Sequence, residues 1–324
     1  MGFLPTNPQR RVFISWVKHT TRSASFAKAI GAQAWFFNQG EGWGPLKYVP
    51  RKIATLWVLL TQRPKVVLCM NPPYFVGLLA WFYCLFFDAR FTLDSHSAAF
   101  DSRKWTWMMP LHSFLVKRAA ASTVTNPELA RRVEAMGGTA VVLSDIPYEM
   151  PEGEYPVDKG CFTLCFVCNY AEDEPIFDVF DAVRSLPGVH VYVTGNDRKA
   201  TDAMRAAKPE NVTLTGYLTN AQYAGLLRNV DALLVLTTRD HTMQRGGSEA
   251  VTVGKPLITS DWPILREIFS AGTVHVDNTA DGIRRGIEAV KANPGSYGED
   301  IVRLRDKRNA RWAEVRARIE ALLV

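Results

Sequence analysis

TTRDHTMQRGGSEAVTVGKPLITSD, residues 237–261, is the stretch on which the fold turns. Before it stands the apolar run ALLVL, residues 232–236, a pattern expected of a strand buried on both faces of a parallel sheet. The run breaks at Thr237 into a polar loop. Gly246 and Gly247 then allow tight backbone, Ser248 is a candidate cap, and residues 249–253 fit a short helix that Gly254-Lys255-Pro256 ends. Residues 256–260 read as the next buried strand. A Gly-Gly turn feeding a helix N-terminus at the carboxyl end of a strand is where an α/β sheet binds phosphate. Free N–H groups and the helix dipole both favour an anion there. Glu249 is expected in the first helical turn, facing a ribose diol, with Arg245 as the fixed positive charge beside it. The same letters also suit an ordinary βα turn with a capping Ser and a helix-start Glu.

Outward from this stretch the alternation of strand and helix continues. In the second half, strands are expected at 162–167, 190–194, 212–215 and 273–276 besides the two above. Helices are expected at 174–185, 200–207, 220–228, 264–269, 280–292 and 298–324. The first half repeats the scheme, with strands at 12–17, 34–37, 65–70, 90–93, 122–125 and 140–143. Its helices are expected from Ser23 and at 48–61, 75–87 and 127–136. Residues 145–160, with Pro147, Pro151 and Pro156, break every period and read as a linker. Two βα series joined in this way predict an α/β chain of two doubly wound, Rossmann-like domains, 1–150 and 151–324, facing across a cleft. A length of 324 residues suits two such domains.

Composition excludes several classes. The opening MGFLPTNPQRR lacks the apolar core of a secretory signal. The apolar run at 75–87 falls short of the roughly 20 residues that span a bilayer. Cys161, Cys165 and Cys168 lie in CFTLCFVC, a β-type run that points them to different faces, so buried thiols are expected rather than a metal site. Residues 1–150 hold 17 Lys/Arg against 8 Asp/Glu, and residues 151–324 hold 21 against 24, so the halves carry +9 and −3. A basic, aromatic first half points to an anionic surface. No zinc-finger, RRM or helix-turn-helix pattern is present, so no nucleic acid is expected as partner. The first βα turn lacks G-x-G-x-x-G, which argues against a dinucleotide oxidoreductase.

Within the first half, LDSHSAAFD follows the strand at 90–93 and places Asp94, His96 and Asp101 at a sheet's carboxyl end, where such folds carry their sites. His19 and Arg22 occupy the equivalent place after the first strand. RKWTWMMPLHSFLVKR, residues 103–118, mixes Trp105, Trp107, Met108 and Phe114 with Arg103, Lys104, Lys117 and Arg118. That composition suits a peripheral membrane contact or a bulky core helix.

Taken together, these residues resemble the GT-B glycosyltransferases, especially the family-4-like enzymes of bacterial polysaccharide and glycolipid assembly. The resemblance covers nearly the whole chain and is strongest over 212–269, where SEAVTVGKPLITSD matches the family's block. It implies that Glu249 binds the donor ribose, that Gly246, Gly247 and Ser248 hold the diphosphate beside Arg245, and that Gly216 and Tyr217 of TLTGYLT meet the base. The donor loop then includes Thr238, Asp240 and His241. Retaining members carry a first glutamate where this chain has His241, and a basic pair where this chain has Asn169-Tyr170-Ala171-Glu172-Asp173-Glu174. Leaving-group stabilisation is then expected from the helix N-terminus and Arg245. The stereochemical course stays open. Inversion needs a base beside the acceptor hydroxyl, for which Asp94, His96 and Asp101 are the candidates.

The resemblance therefore implies transfer of a sugar from a UDP- or GDP-sugar donor to a lipid-linked or other saccharide acceptor. The expected setting is the cytoplasmic face of the plasma membrane, with the protein peripheral on an anionic surface. No cofactor and no metal are expected, since no suitably placed Asp-x-Asp motif is present. A GT-B sugar-nucleotide epimerase and a non-catalytic GT-B-like binding subunit are the alternatives.

Overall fold

In the computed structural model, residues 10–17, 21–38, 48–143, 146, 149–240, 242 and 244–323 are described. The chain divides into two units, Met1–Pro147 with Asn309–Val324, and Tyr148–Arg308. The first holds strands β1 (Arg11–Ser15), β2 (Gln33–Phe36), β3 (Val66–Asn71), β4 (Arg90–Ser95), β5 (Ala121–Val124) and β6 (Ala140–Val142). They form one parallel sheet in the order β2-β1-β3-β4-β5-β6. The second holds β7 (Phe162–Phe166), β8 (Val189–Val193), β9 (Val212–Leu214), β10 (Ala232–Val235), β11 (Leu257–Ser260) and β12 (Thr273–Val276). Their order is β12-β11-β10-β7-β8-β9, again all parallel.

Continuous apolar strands follow from helices on both faces of each sheet. Along β10, Ala232 and Leu234 face the layer of Val179, Phe180, Ile283 and Ile287, while Leu233 and Val235 face Leu226, Ala250 and Leu304. The same alternation sends Cys165 of β7 to one face and Cys168 to the other. In the first unit one layer is built on Val58, Leu59, Val76, Ala80 and Leu115, and the other on Phe26, Ile30, Trp312 and Ile319.

One expectation needs correction, and two gain detail. The last helix runs Pro294–Leu323, and from Asn309 onward it belongs to the first unit, not to the second. The linker is tied down: Arg228 donates to the carbonyls of Met150 and Pro151, and Asn229 to that of Tyr155. Close approach at Gly153 and Gly225 locks the same strap onto the helix Asn220–Asn229. A Cβ at Gly153 would stand 2.1 Å from the Ala221 carbonyl oxygen, and one at Gly225 2.4 Å from the Glu154 backbone. Finally, residues 103–118 divide between a buried apolar side and an exposed side that carries Arg103, Lys104, Lys117 and Arg118. Trp105, Met108, His112, Leu115 and Val116 are buried, since the helix Met109–Val116 packs on the sheet, and Trp107 is left outward at 72% exposure.

Candidate active site

In the second unit the order of strands reverses between β7 and β10, the crevice where open α/β sheets bind ligands. A pocket of about 650 Å³ lies there. It is lined from the segments after β7 (Asn169, Glu174), β8 (Asn196, Lys199) and β9 (Tyr217), from Tyr223 on the helix Asn220–Asn229, and from the start of the helix Arg245–Val253.

That helix begins earlier than expected. Its N-cap is Gln244, so Gly246, Gly247 and Ser248 lie within its first turns, and Glu249 stands one turn in. The glycines form no turn; they let the helix press against the sheet. A Cβ at Gly246 would stand 2.9 Å from Val167, and one at Gly247 2.4 Å from the Phe269 ring. Ser248 caps nothing; its carbonyl accepts the Thr252 hydroxyl.

Glu249 is 4% exposed, and each of its oxygens has one partner. One oxygen lies 2.7 Å from Arg245 Nε, and the other accepts the Tyr223 hydroxyl at 2.5 Å. Burial and the Glu249 carboxylate push the Tyr223 phenol far up, so it stays a donor. A carboxylate has about four lone-pair sites, so both oxygens can still accept from a diol. Gln244 adds polar capacity, with Nε2 on the Leu236 carbonyl at 2.6 Å and Oε1 buried and unpartnered.

The β7 loop supplies the least expected feature. Its amides already hold an anion, the carboxylate of Glu174, which accepts from the N–H groups of Asn169 (2.9 Å) and Ala171 (2.8 Å). Burial, then Glu174 itself, pushes the Cys168 thiol up, and it donates to the same carboxylate. Among the described residues, the cations that line the pocket are Lys199 and Arg245.

Of the donor-side residues read from the sequence, Tyr217, Arg245, Gly246 and Glu249 line the pocket. Gly216, at φ +67°, precedes Tyr217. Gly247, Ser248, Thr238 and Asp240 do not line it. Thr238 instead bonds back to the Asp173 carbonyl through its N–H and its hydroxyl. His241 lies outside the described residues. Sequence reasoning missed Asn196, Lys199, Tyr223 and Gln244. Their signal was positional: each follows a strand end or opens the next helix.

In the first unit β1 sits between β2 and β3, and a polar cluster gathers at the carboxyl ends of its strands. Asp94 is buried on β4. It accepts from Arg22 Nη1 at 3.1 Å and from the Thr123 hydroxyl at 3.0 Å, and His96 Nε2 lies 3.3 Å from it. Burial would raise the Asp94 carboxyl, yet Arg22 and His96 hold it well below the usual range. Arg22 Nη2 and Asn71 Oδ1 are buried and without partner, so the cluster has a donor and an acceptor to spare. Asp101 does not join it; its carboxylate points to Arg132 Nη1 at 2.7 Å. His19 lies outside the described residues.

No protein-family model and no curated protein matches the chain. Solved structures do. A putative UDP-N-acetylglucosamine 2-epimerase from Listeria monocytogenes aligns with a TM-score of 0.63 at 13% identity, over 90% of this chain and 91% of that one. HepE of Anabaena, determined with UDP and glucose, gives 0.62 at 10% identity over 97% and 92%. Sucrose-phosphate synthase of Thermosynechococcus elongatus gives 0.58 at 13% identity over 98% and 85%. At such identities the likeness is one of architecture, and it agrees with the two six-stranded parallel sheets and their strand orders. The chain has the GT-B fold, two Rossmann-like domains in one polypeptide.

Proposed function

We propose that the protein is a glycosyltransferase, moving a sugar from a UDP- or GDP-sugar to a lipid-linked saccharide at the cytoplasmic face of the plasma membrane. The observation that carries this reading is the switch-point pocket with a buried carboxylate at its base, Glu249 held between Arg245 and Tyr223. Glu249 takes the ribose diol, and Tyr217, exposed at the rim, offers a face for the base. The diphosphate meets the start of the helix Arg245–Val253, with Arg245 and Lys199 balancing its charge. Support also comes from HepE, which shares the fold and was determined with UDP and glucose.

The acceptor belongs to the first unit. Assigning the Nε2 proton of His96 to the Asp94 contact leaves Nδ1 as the base, with Asp94 as its orienting partner. The acceptor hydroxyl gives its proton to Nδ1 and its oxygen bonds to the anomeric carbon. The bond from that carbon to the diphosphate breaks, with the electron pair leaving on the diphosphate. This is a single displacement with inversion, and in our reading it needs no metal.

The epimerase reading is kept alive by the Listeria neighbour, and it predicts turnover of the donor without any acceptor. Titration calorimetry with UDP and GDP, followed by turnover of their sugars with and without a lipid-linked acceptor, tests both. Glu249→Ala should abolish nucleotide binding in a chain that still folds, with a lowered melting temperature because the buried Tyr223 hydroxyl and Arg245 lose their partner. His96→Ala should keep donor affinity and lose about a hundredfold or more in turnover. Unchanged affinity in the first variant, or epimerised donor in the absence of acceptor, would overturn the assignment.

A further inference from the structure

The helices Val49–Gln62 and Phe75–Phe86 lie side by side in the same layer of the first unit. Lys52 Nζ sits 5.2 Å from the Phe75 ring near their amino ends, and the Tyr83 hydroxyl donates to the Pro64 carbonyl near their carboxyl ends. They therefore run in the same direction, as right-handed crossovers onto β3 and β4 require. Thr55, Val58 and Leu59 of one, and Val76, Ala80 and Tyr83 of the other, face inward.

The outward face is apolar as well. Val49, Ile53, Leu56, Trp57 and Leu60 recur at helical spacing, with Ile53 63% and Leu60 55% exposed. Phe82, Leu85 and Phe86 continue the face on the second helix, Phe86 at 69%. Eight of the eleven large hydrophobics exposed among the described residues lie on this pair. An apolar face of this kind marks an interaction surface.

Charge selects the occupant. Residues 48–87 carry Arg51, Lys52, Arg63 and Lys65 and no Asp or Glu. The acid that ends the run, Asp88, is paired with Lys65. A two-fold dimer through this face would set like charges against each other. An anionic bilayer meets both features at once, taking Trp57 and the aliphatic side chains into its interface and the cations at its headgroups. We infer that the paired helices Val49–Gln62 and Phe75–Phe86 dock the first unit on an anionic membrane surface. The inference leans on the lipid-acceptor part of the proposed function for its purpose, and not for its test.

The test is sedimentation with phosphatidylcholine vesicles, with and without phosphatidylglycerol. The parent protein should sediment with the phosphatidylglycerol vesicles and be released by salt. The triple variant Ile53→Gln, Leu60→Gln, Phe86→Gln and the charge reversal Lys52→Glu, Arg63→Glu should each lose about tenfold or more in partitioning. Both should unfold at the parental temperature. Equal sedimentation with and without phosphatidylglycerol, or a triple variant that binds like the parent, would overturn the inference. So would a parent dimer that the triple variant turns into monomer in sedimentation velocity. No sugar donor enters these measurements, so an inactive chain that still binds vesicles would count against the catalytic proposal alone.

Discussion

His112 shows what one residue can reveal when its chemistry and its surroundings disagree. It is buried, stacked on Tyr74 at 4.9 Å and edge-on to Phe100, and both ring nitrogens lack a partner. Burial, then the Arg132 guanidinium, lowers its pKa from 6.5 to about 4. The folded protein thus holds His112 neutral, while the unfolded chain takes up a proton as pH falls through 6.5. Stability present above that value is lost between pH 6.5 and about 4, by up to about 3 kcal/mol. His112→Phe should flatten the melting temperature over that window and cost nothing at pH 7.5, since it removes two unsatisfied nitrogens. Parallel melting profiles for variant and parent would show that His112 does not titrate in this way. At this scale the sequence was half legible. Asp94 and His96 could be picked out because they stand two apart after a strand. Arg22 could be placed at a strand end but not paired with them, and Asn71 and Thr123 could not be picked out at all, because sheet order brings these residues together from the helix after β1, from β3 and from β5.

Among the elements, the helix Arg245–Val253 separates propensity from packing. Two glycines in a row speak for a turn on local grounds, and tertiary contact overrides that by seating them inside a helix against Val167 and Phe269. The strand on one side and the stop at Gly254, φ +70°, were legible because each depends on local periodicity and one backbone angle. The helix start was not, because it depends on a ring 22 residues further on. Gly247→Ala weighs the two effects. Helix propensity favours Ala by about 1 kcal/mol, while overpacking against a buried ring costs about 1–3 kcal/mol. Denaturant titration should show net destabilisation by Gly247→Ala. Combining it with Phe269→Leu should cost less than the sum of the two single changes, with a coupling of about 1 kcal/mol. Additive losses would mean that the helix has room to shift away from Phe269.

For the whole molecule, the two parallel sheets were legible because buried strands and their spacing recur twelve times along the chain, and each can be read without knowing its neighbours. Ownership of the last helix was not, since a terminal amphipathic segment carries no mark of the core it completes. Trp312, Ile319 and Leu323 fill the layer of Phe13, Phe26 and Ile30, and the Trp312 ring meets Phe26 edge-on at 6.5 Å. Arg11 on β1 pairs with Glu320, and that pairing holds the Glu320 carboxyl below its usual range. The first unit is therefore incomplete without residues that follow the whole of the second. Trp312→Ala puts this to the test, since emptying a buried indole site costs about 3–5 kcal/mol. That loss falls on the first unit, while Glu249, Arg245 and Tyr223 stand in the second. The expected result is a marked drop in the temperature at which the first unit melts, with nucleotide affinity by calorimetry unchanged below that transition. A variant that loses nucleotide affinity while the first unit melts at the parental temperature would assign the terminal helix to the second unit.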